Sequence, residues 1–345
     1  MRTLNNIETT VVSSRIRLAR NLADYPFPNK LKDAAQGREI IEAVDSAASG
    51  LGGFKLFRMD EISEVVAQAI CDDHLISAEL VRNRACGAAL IDEEESEPPR
   101  GKFSIMINEE DHLREQYIVQ GLNLQPAYRR ISAVDDELSR SLRFAYDAHW
   151  GYLTACPTNL GTGMRASVML FLPGLTRLNK MERLIREISR LGHTVRGVYG
   201  EGSAAEGNMY QVSNEVTLGV DEEYILAEVQ RAVLEIVNLE AQARKAFRGD
   251  DGVRDECCRA LGVLKTCYRI SYSEFLQRIS DVKLGVALGF LRTADFAAFD
   301  ELSAAVRPAN IDLRFDGASD ADARDVRRAA ACRKAMVGVR LAPEG

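Results

Sequence analysis

A chain of 345 residues has room for two domains and a sizeable core. Its 46% hydrophobic and 28% charged residues are ordinary for a soluble globular protein, and a net charge of −7 supplies no global basic field for nucleic acid. Seven scattered cysteines without a CxxC pair point to reduced thiols in the cytoplasm and away from a disulfide scaffold or a zinc site; Met1–Asn6 carries no apolar signal core, and Val168–Leu172 is too short to span a bilayer.

In chain order, Thr9–Val12 is β-prone and leads into the arginine-rich Ser13–Arg20. The spacing of Ile40, Ile41 and Val44 predicts an amphipathic helix over 33–47. A strand is expected at 56–59 and a helix at 62–70. Strands at 88–91 and 103–107 flank the acidic, proline-bearing insert 92–102 and read as an antiparallel hairpin with an exposed tip. Helical patterns follow at 111–119 and 133–147, strands at 152–155 and 166–172, and a helix at 177–191. Two more strands, 194–199 and 209–214, enclose a Gly-rich loop before a long helix over 221–246. Neighbouring strands joined by hairpins favour an α+β fold, an antiparallel β-sheet flanked by helices, over a βαβ repeat. The polar Gly break at 248–252 sets the expected division into domains 1–248 and 249–345; the second reads as small and all-α, with helices at 253–264, 272–279, 282–292, 298–305 and 320–335.

The chain has no GxxxxGK[ST], no GxGxxG between strand and helix, no HRD or DFG set and no HExxH. It has arginines at strand ends beside small residues: Arg15 and Arg17 after two serines, Arg114 closing Asn108–Arg114, Arg165 closing Cys156–Arg165, and Arg196 opening Arg196–Glu201. Arginine suits bidentate capture of phosphate, so five converging would neutralise a nucleoside triphosphate without a Gly-rich cradle. Taken singly, each also reads as a surface ion-pair partner, and periodicity does not show that they converge. The same segments hold carboxylates, Glu109–Glu110–Asp111 and Glu201, and a thiol, Cys156, that nearby cations would activate.

These segments, Ser13–Arg20, Asn108–Arg114, Cys156–Val168 and Arg196–Glu201, stand in the order and spacing of the guanidino kinases, the superfamily that includes creatine kinase and arginine kinase, and over residues 9–246 the chain resembles that family. Two features resemble its bacterial protein arginine kinase branch. SSRIR begins at residue 13, so the N-terminal helical domain of the small-substrate enzymes is expected to be absent, and a helical tail follows instead. The resemblance implies ATP and Mg²⁺ as cofactors. It implies a nucleotide site from Ser13, Ser14, Arg15, Ile16, Arg17, His74, Arg114, Arg165, Ala166, Ser167, Val168, Met169, Arg196, Gly197, Val198, Tyr199, Gly200 and Glu201. Glu110 and Glu201 match the carboxylates that grip the guanidinium, with Glu110 favoured as base, and Cys156 matches the reactive cysteine beside it.

In the tail, Arg324-Asp325-Val326-Arg327-Arg328-Ala329 resembles the RDxxRA pattern of a regulatory phosphoarginine pocket built from Arg324, Asp325 and Arg328; on spacing alone it reads as an ion-paired surface helix. Expected partners, by resemblance, are arginine-bearing protein substrates, a zinc-binding activator protein, a Clp unfoldase/protease, a stress-response repressor and a second copy of the chain in a homodimer. No direct nucleic-acid or membrane partner is expected. Two other readings stand beside this one: a kinase for a small guanidino metabolite, and a phosphoarginine-binding adaptor with little catalysis.

Overall fold

The computed structural model describes residues 4–31, 33–92, 101–197, 206–315 and 320–343. Its first half runs β1 (Val11–Arg20), α1 (Ala34–Ala48), β2 (Lys55–Arg58), α2 (Glu64–Asp72), α3 (Ala78–Arg82), β3 (Ala88–Asp92), β4 (Gly101–Ile107), β5 (Leu113–Gln120) and α4 (Leu124–Ser139). Next come β6 (Tyr146–Asp147), β7 (Gly151–Tyr152), β8 (Met164–Phe171), α5 (Pro173–Arg177), α6 (Met181–Ser189), β9 (His193–Gly197), β10 (Met209–Asn214) and α7 (Glu222–Lys245). The tail holds α8 (Asp251–Thr266), α9 (Tyr272–Leu288), β11 (Leu291–Arg292), α10 (Ala298–Ala305), α11 (Pro308–Arg314), α12 (Ala321–Ala335) and β12 (Arg340–Leu341). Eight strands form one antiparallel sheet in the order β2-β3-β4-β5-β1-β8-β10-β9; β6–β7 and β11–β12 are separate two-stranded ribbons. No helix among the described residues is long and apolar enough to cross a membrane.

The chain separates into two compact units, one of Ser13–Val168 with Ser213–Arg231, the other of Met1–Val12, Met169–Val212 and Ala232–Gly345. The boundaries fall inside β1, β8, β10 and α7, so this grouping does not follow a single division at 248/249.

In the first unit, strand pairing fixes which side chains share a face. Arg17 lies opposite Gln116, and Ala19 opposite Arg114. With a side-chain period of two, Arg15, Arg17, Arg114 and Gln116 project from one face, while Ile16, Leu18, Arg20, Glu115 and Tyr117 project from the other. Helix α4 covers the second face, where its Asp135 meets Arg20 at 2.7 Å and its Arg130 lies over the Phe103 ring. Helices α2 and α3 cover the first face only towards β2–β4, through a cluster of Met59, Leu75, Ile76, Leu80, Ala89, Ile91 and Met106. The arginine-bearing part of the face is therefore not buried under these helices.

In the second unit, Glu240 of α7 accepts from the Gly174 and Leu175 amides at 2.8 and 2.9 Å, filling the orphan donors at the start of α5. Arg244 pairs with Glu240 at 2.7 Å and also donates to Thr9 Oγ1, Thr9 O and Phe171 O. Burial pushes the Glu240 carboxyl up, and Arg244 and the two amides oppose it. The tail helices pack around Cys257, Leu264, Phe275, Val282, Ala329 and Met336. Side-chain caps start three of them: Asp250 on α8, Ser271 on α9 and Asp320 on α12.

Several elements differ from their sequence reading. Residues 111–119 contain most of β5, not a helix: the strand buries Glu115 and Gln116 as well as Leu113, Tyr117 and Val119, so polar residues on both faces hide the alternation. Helix α4 begins at Leu124 and ends at Ser139, not at 133 and 147; Pro126 stands in its first turn, where a missing N–H costs nothing. The stretch 177–191 is split between α5 and α6, and 272–279 with 282–292 is the continuous α9 followed by β11. The tail also contains α11 and the β11–β12 ribbon, which the sequence reading lacked. Most of the insert at 92–102 (93–100) and the end of the strand expected at 194–199 lie outside the described residues.

Replacing Glu240 with Ala leaves Arg244 buried without its counter-charge and uncaps α5. The expected cost is about 3–5 kcal/mol, read as a lowered urea midpoint of the full chain.

Candidate active site

The arginine face is built by β1, β5 and β8. Arg15 and Arg17 are two apart on β1, so both point to the same side and are part-buried between strands whose alternate residues, Ile16 and Leu18, fill the core. Burial, then the charges of Arg114 and Arg165, pushes the Arg15 guanidinium down to about 10. Burial, then Arg15, Arg114 and Arg165, pushes Arg17 well below the usual guanidinium range, with Glu109 pulling the other way. Four cations thus lie within mutual electrostatic reach. Arg114 is paired to Glu109 at 2.5 Å, and Arg165 Nε and Nη2 donate to Ser213 Oγ at 3.2 and 3.1 Å. Arg17 Nε is buried without a hydrogen-bond partner among the described residues. A crowd of guanidinium groups with an unmet buried donor fits a multiply charged phosphate chain, which would supply both counter-charge and acceptors.

His74 joins this face through its backbone: Gln116, opposite Arg17, donates to the carbonyls of His74 and Leu75 at 2.6 and 2.9 Å. Ser13 shares the parity of Arg15 and Arg17 and is part-exposed. Ser14 is buried on the other face, where its hydroxyl donates to Gly121 O and accepts from the Asn123 amide, so it braces the turn after β5. Ile16, Ala166 and Val168 are core residues. Ser167 is buried, its hydroxyl 3.4 Å from the Arg15 carbonyl, and the Ala166 amide donates to Asn214 Oδ1. Met169, Arg196 and Gly197 belong to the other compact unit, Arg196 being exposed on β9. Val198, Tyr199, Gly200 and Glu201 lie outside the described residues.

Glu110 sits on the hairpin loop 108–112 between β4 and β5. Asn108 closes the loop in the left-handed region at φ 59°, its side chain donating to Gly37 O and Cys86 O and its amide to His112 O. Glu109 turns inward to Arg114; Glu110 is exposed and makes no hydrogen bond or ion pair among the described residues. Asp111 is buried, and its Oδ1 accepts from Asn21 Nδ2 at 2.6 Å and from the Ala155 amide at 2.7 Å. Burial pushes Asp111 up against these bonds. Asn21 also donates to Leu153 O and accepts from the His112 amide. Asn21 and Asp111 thereby join the end of β1, the Glu110 loop and the segment leading to Cys156, whose thiol lies 3.0 Å from Thr158 Oγ1. His112 accepts from the Leu22 amide through Nδ1 and lies 3.0 Å from Pro26 O through Nε2, which makes it a neutral strut; burial pushes it down to about 4.

The Cys156 loop owes its path to contacts that exclude side chains. Gly163 has φ +64°, and a Cβ there would lie 2.6 Å from Arg20 Nη1 and 2.7 Å from Ala19 O. Thr217 donates to Thr158 O and Leu160 O, holding the loop from the other side. Beneath it, Glu115 and Asp135 meet beside Arg20, and burial and Asp135 push Glu115 well above the usual carboxyl range.

Sequence reasoning passed over Asn21, Asp111, Gln116 and Ser213. Asp111 stood last in an acidic triplet that reads as solvated, and no pattern marks which of the three is buried. Among the described residues no group of three or more His, Cys, Asp or Glu could hold a metal ion.

In the tail, Arg328 is fully buried, donating to Val306 O, Ile270 O and Asp325. Arg324 pairs with Asp312 at 2.9 Å and stays part-exposed. The expected pocket residues therefore divide: Arg328 ties α12 to its neighbours, while Arg324 and Asp325 reach the surface.

An antiparallel sheet carrying clustered arginines, with a carboxylate loop pinned beside a cysteine loop, is the arrangement of a phosphotransferase acting on guanidino groups. Residues 37–243 match the family described as ATP:guanido phosphotransferase, C-terminal catalytic domain. Among solved structures, the substrate-free duplicated taurocyamine kinase of Schistosoma mansoni superposes with TM-score 0.59 at 28% identity, over 72% of this chain and 36% of that one. A lombricine kinase does so with TM-score 0.56 at 26% identity, over 69% and 68%. The chain belongs to the ATP:guanido phosphotransferase family. Within that family its similarity runs to the protein-arginine kinases: residues 250–342 match the C-terminal domain of protein-arginine kinase McsB. The protein-arginine kinase of Halothermothrix orenii is 41% identical over 92% of this chain and 90% of its own length, and that of Staphylococcus epidermidis 44% identical over 86% of each.

Two outcomes are expected of this site. His112 must stay neutral in the fold, so between its unfolded value near 6.5 and about 4 the unfolded chain binds the extra proton. Its contribution is complete above pH 6.5 and is lost as pH falls towards 4, by about 3 kcal/mol in all. Urea titrations across this window should show the fall, shallower in His112→Gln. Arg17→Met relieves like-charge crowding, so the free protein should melt no lower than wild type, while the thermal shift produced by ATP disappears.

Proposed function

We propose that the protein transfers the γ-phosphoryl group of ATP to arginine side chains of other proteins. The observation that carries this reading is the convergence of Arg15, Arg17, Arg114 and Arg165, all part-buried, on one sheet face, in the same unit as Glu110 and Cys156. The arginines and the His74 segment hold the nucleotide's phosphates. Mg²⁺ bound to those phosphates would need few ligands from this chain and would supply neutralisation of charge there, beside Arg15, Arg17, Arg114 and Arg165.

A protonated guanidinium is a poor nucleophile. Glu110, exposed and unpaired, takes one proton from it as a guanidino nitrogen bonds to the γ-phosphorus; the bond from that phosphorus to the β–γ bridging oxygen breaks and ADP leaves. Glu201 is the second carboxylate grip, with Cys156 beside the incoming group. The resemblance assigns Arg196 to Glu201 a part in nucleotide binding, and 1–248 acts as the catalytic domain.

The remaining assignments follow from the likeness to protein-arginine kinases. Residues 249–345 serve homodimerisation, and Arg324 and Asp325, braced by Arg328, recognise phosphoarginine as a regulatory signal. The protein works in the cytoplasm with a zinc-binding activator, marks substrates for a Clp-type protease and regulates a stress-response repressor.

The test is incubation with Mg-ATP and a denatured protein, followed by mass spectrometry under conditions that preserve N–P bonds. Acid-labile phosphate on arginine is expected, and Glu110→Ala should reduce it by at least a thousandfold at an unchanged KM for ATP. Phosphate confined to serine or threonine, or turnover with free arginine or creatine and none on protein, overturns the reading.

A further inference from the structure

The β6–β7 hairpin is an aromatic tip set on the rim of the candidate active site. Its base is part of the network that places Glu110 and Cys156. The Ala145 amide donates to Asn21 O, the Leu153 amide to Ala145 O, and Asn21 Nδ2 to both Leu153 O and Asp111. Two steps above this base the strands pair Tyr146 with Tyr152 and Asp147 with Gly151. Tyr152 is packed down, the Arg20 guanidinium 3.5 Å from its ring centroid. Tyr146 stands edge-on to Tyr152 at 5.3 Å and is 62% exposed; Trp150 is 47% exposed.

The tip is rigid where it is apolar. Asp147 Oδ1 accepts from the His149 and Trp150 amides at 2.8 and 3.0 Å, fixing the turn. The His149 ring lies edge-on to Trp150 at 4.6 Å. Gly151 follows at φ +73°, where a Cβ would lie 2.5 Å from Gly161 O, so the tip cannot swing without disturbing the Cys156 loop. Large aromatic side chains held in one conformation and left uncovered contribute strongly to recognition, because little entropy is lost when a partner covers them.

The chemistry of the partner follows from position and area. At ~3.3 Å per residue, the side chains of 146 and 150 stand roughly 3–12 Å above the hairpin base. An extended peptide covers that span in about one to four residues, and the base is tied through Asn21 and Asp111 to the loop that carries Glu110. The two rings offer on the order of 200–300 Å², well short of the ~800 Å² per partner that a stable dimer needs. The patch is too small for a second copy of this chain and suits a few side chains of a bound peptide.

We propose that Tyr146 and Trp150 form a docking lip for apolar side chains flanking the substrate arginine, which favours unfolded segments whose hydrophobic residues are exposed. This rests on the reading of the site as a protein-directed arginine kinase, and it deepens that reading by naming the sequence context selected. It also separates protein substrates from free guanidino compounds, which have nothing to lay on the lip.

Trp150 is the only tryptophan in the chain, so its fluorescence reports on the lip without any catalysis. Two peptides are compared, each with one arginine, flanked within four residues by leucine and phenylalanine in one and by glycine and serine in the other. Saturable change in Trp150 emission with the apolar peptide alone is expected. The double variant Tyr146→Ser/Trp150→Ser should raise the KM of the apolar peptide about tenfold with kcat within twofold, leave the glycine-flanked peptide and ATP unaffected, and regain affinity as Tyr146→Phe/Trp150→Phe. Emission that does not respond to the apolar peptide, or equal KM changes for both peptides, overturns the docking lip even if both are phosphorylated. Emission that responds while neither peptide acquires phosphate leaves the lip standing and overturns the kinase reading instead.

Discussion

Like charges brought together on a protein surface repel, and the sheet resists that repulsion by fixing their backbones. Arg15 and Arg17 cannot separate, because β1 is hydrogen-bonded on both sides and its alternate residues are core. Arg114 is held by the register with β5, Arg165 by β8 and Ser213. Within this set Glu109 pairs with Arg114, and the Nε of Arg17 has no acceptor among the described residues. The face is prepared for negative charge before any arrives, so little reorganisation is left for the moment of reaction. The helices on the far side, the glycines of the loop and the Asn21–Asp111 network all serve to keep that strained face in shape.

The three carboxylates of the 108–112 loop differ in burial. Glu109 is spent on Arg114, and Asp111 on the amide of Ala155, leaving Glu110 to meet solvent. Three acids in a row therefore have three environments. A proton acceptor needs to be reachable and positioned; its neighbours supply the positioning by being neither reachable nor mobile.

Much of this was legible in the residues. Arginines at fixed offsets in four segments, and the order of those segments, carried the family resemblance, and neighbouring strands joined by hairpins carried the antiparallel architecture. What stayed hidden was polar burial. Glu115 and Gln116 inside β5 disguised a strand as a helix, and the first turns of α4 before residue 133 went unread. Arg328 looked like a surface cation because its i,i+4 spacing says nothing about the carbonyls of 270 and 306 that come from elsewhere in the chain. Pattern rules score polarity as exposure, and they fail where a polar group is satisfied by a partner distant in sequence.

The glycines at 151, 161 and 163 are each held in left-handed backbone against a carbonyl or guanidinium of another segment, with no volume for a methyl group. A floor made this way admits almost no alternative residue, so the chemistry above it is insulated from gradual drift. The rim is different: at 146, 149 and 150 a changed side chain displaces nothing below. A lineage is therefore free to vary the side chains of the rim while the loop beneath keeps its path.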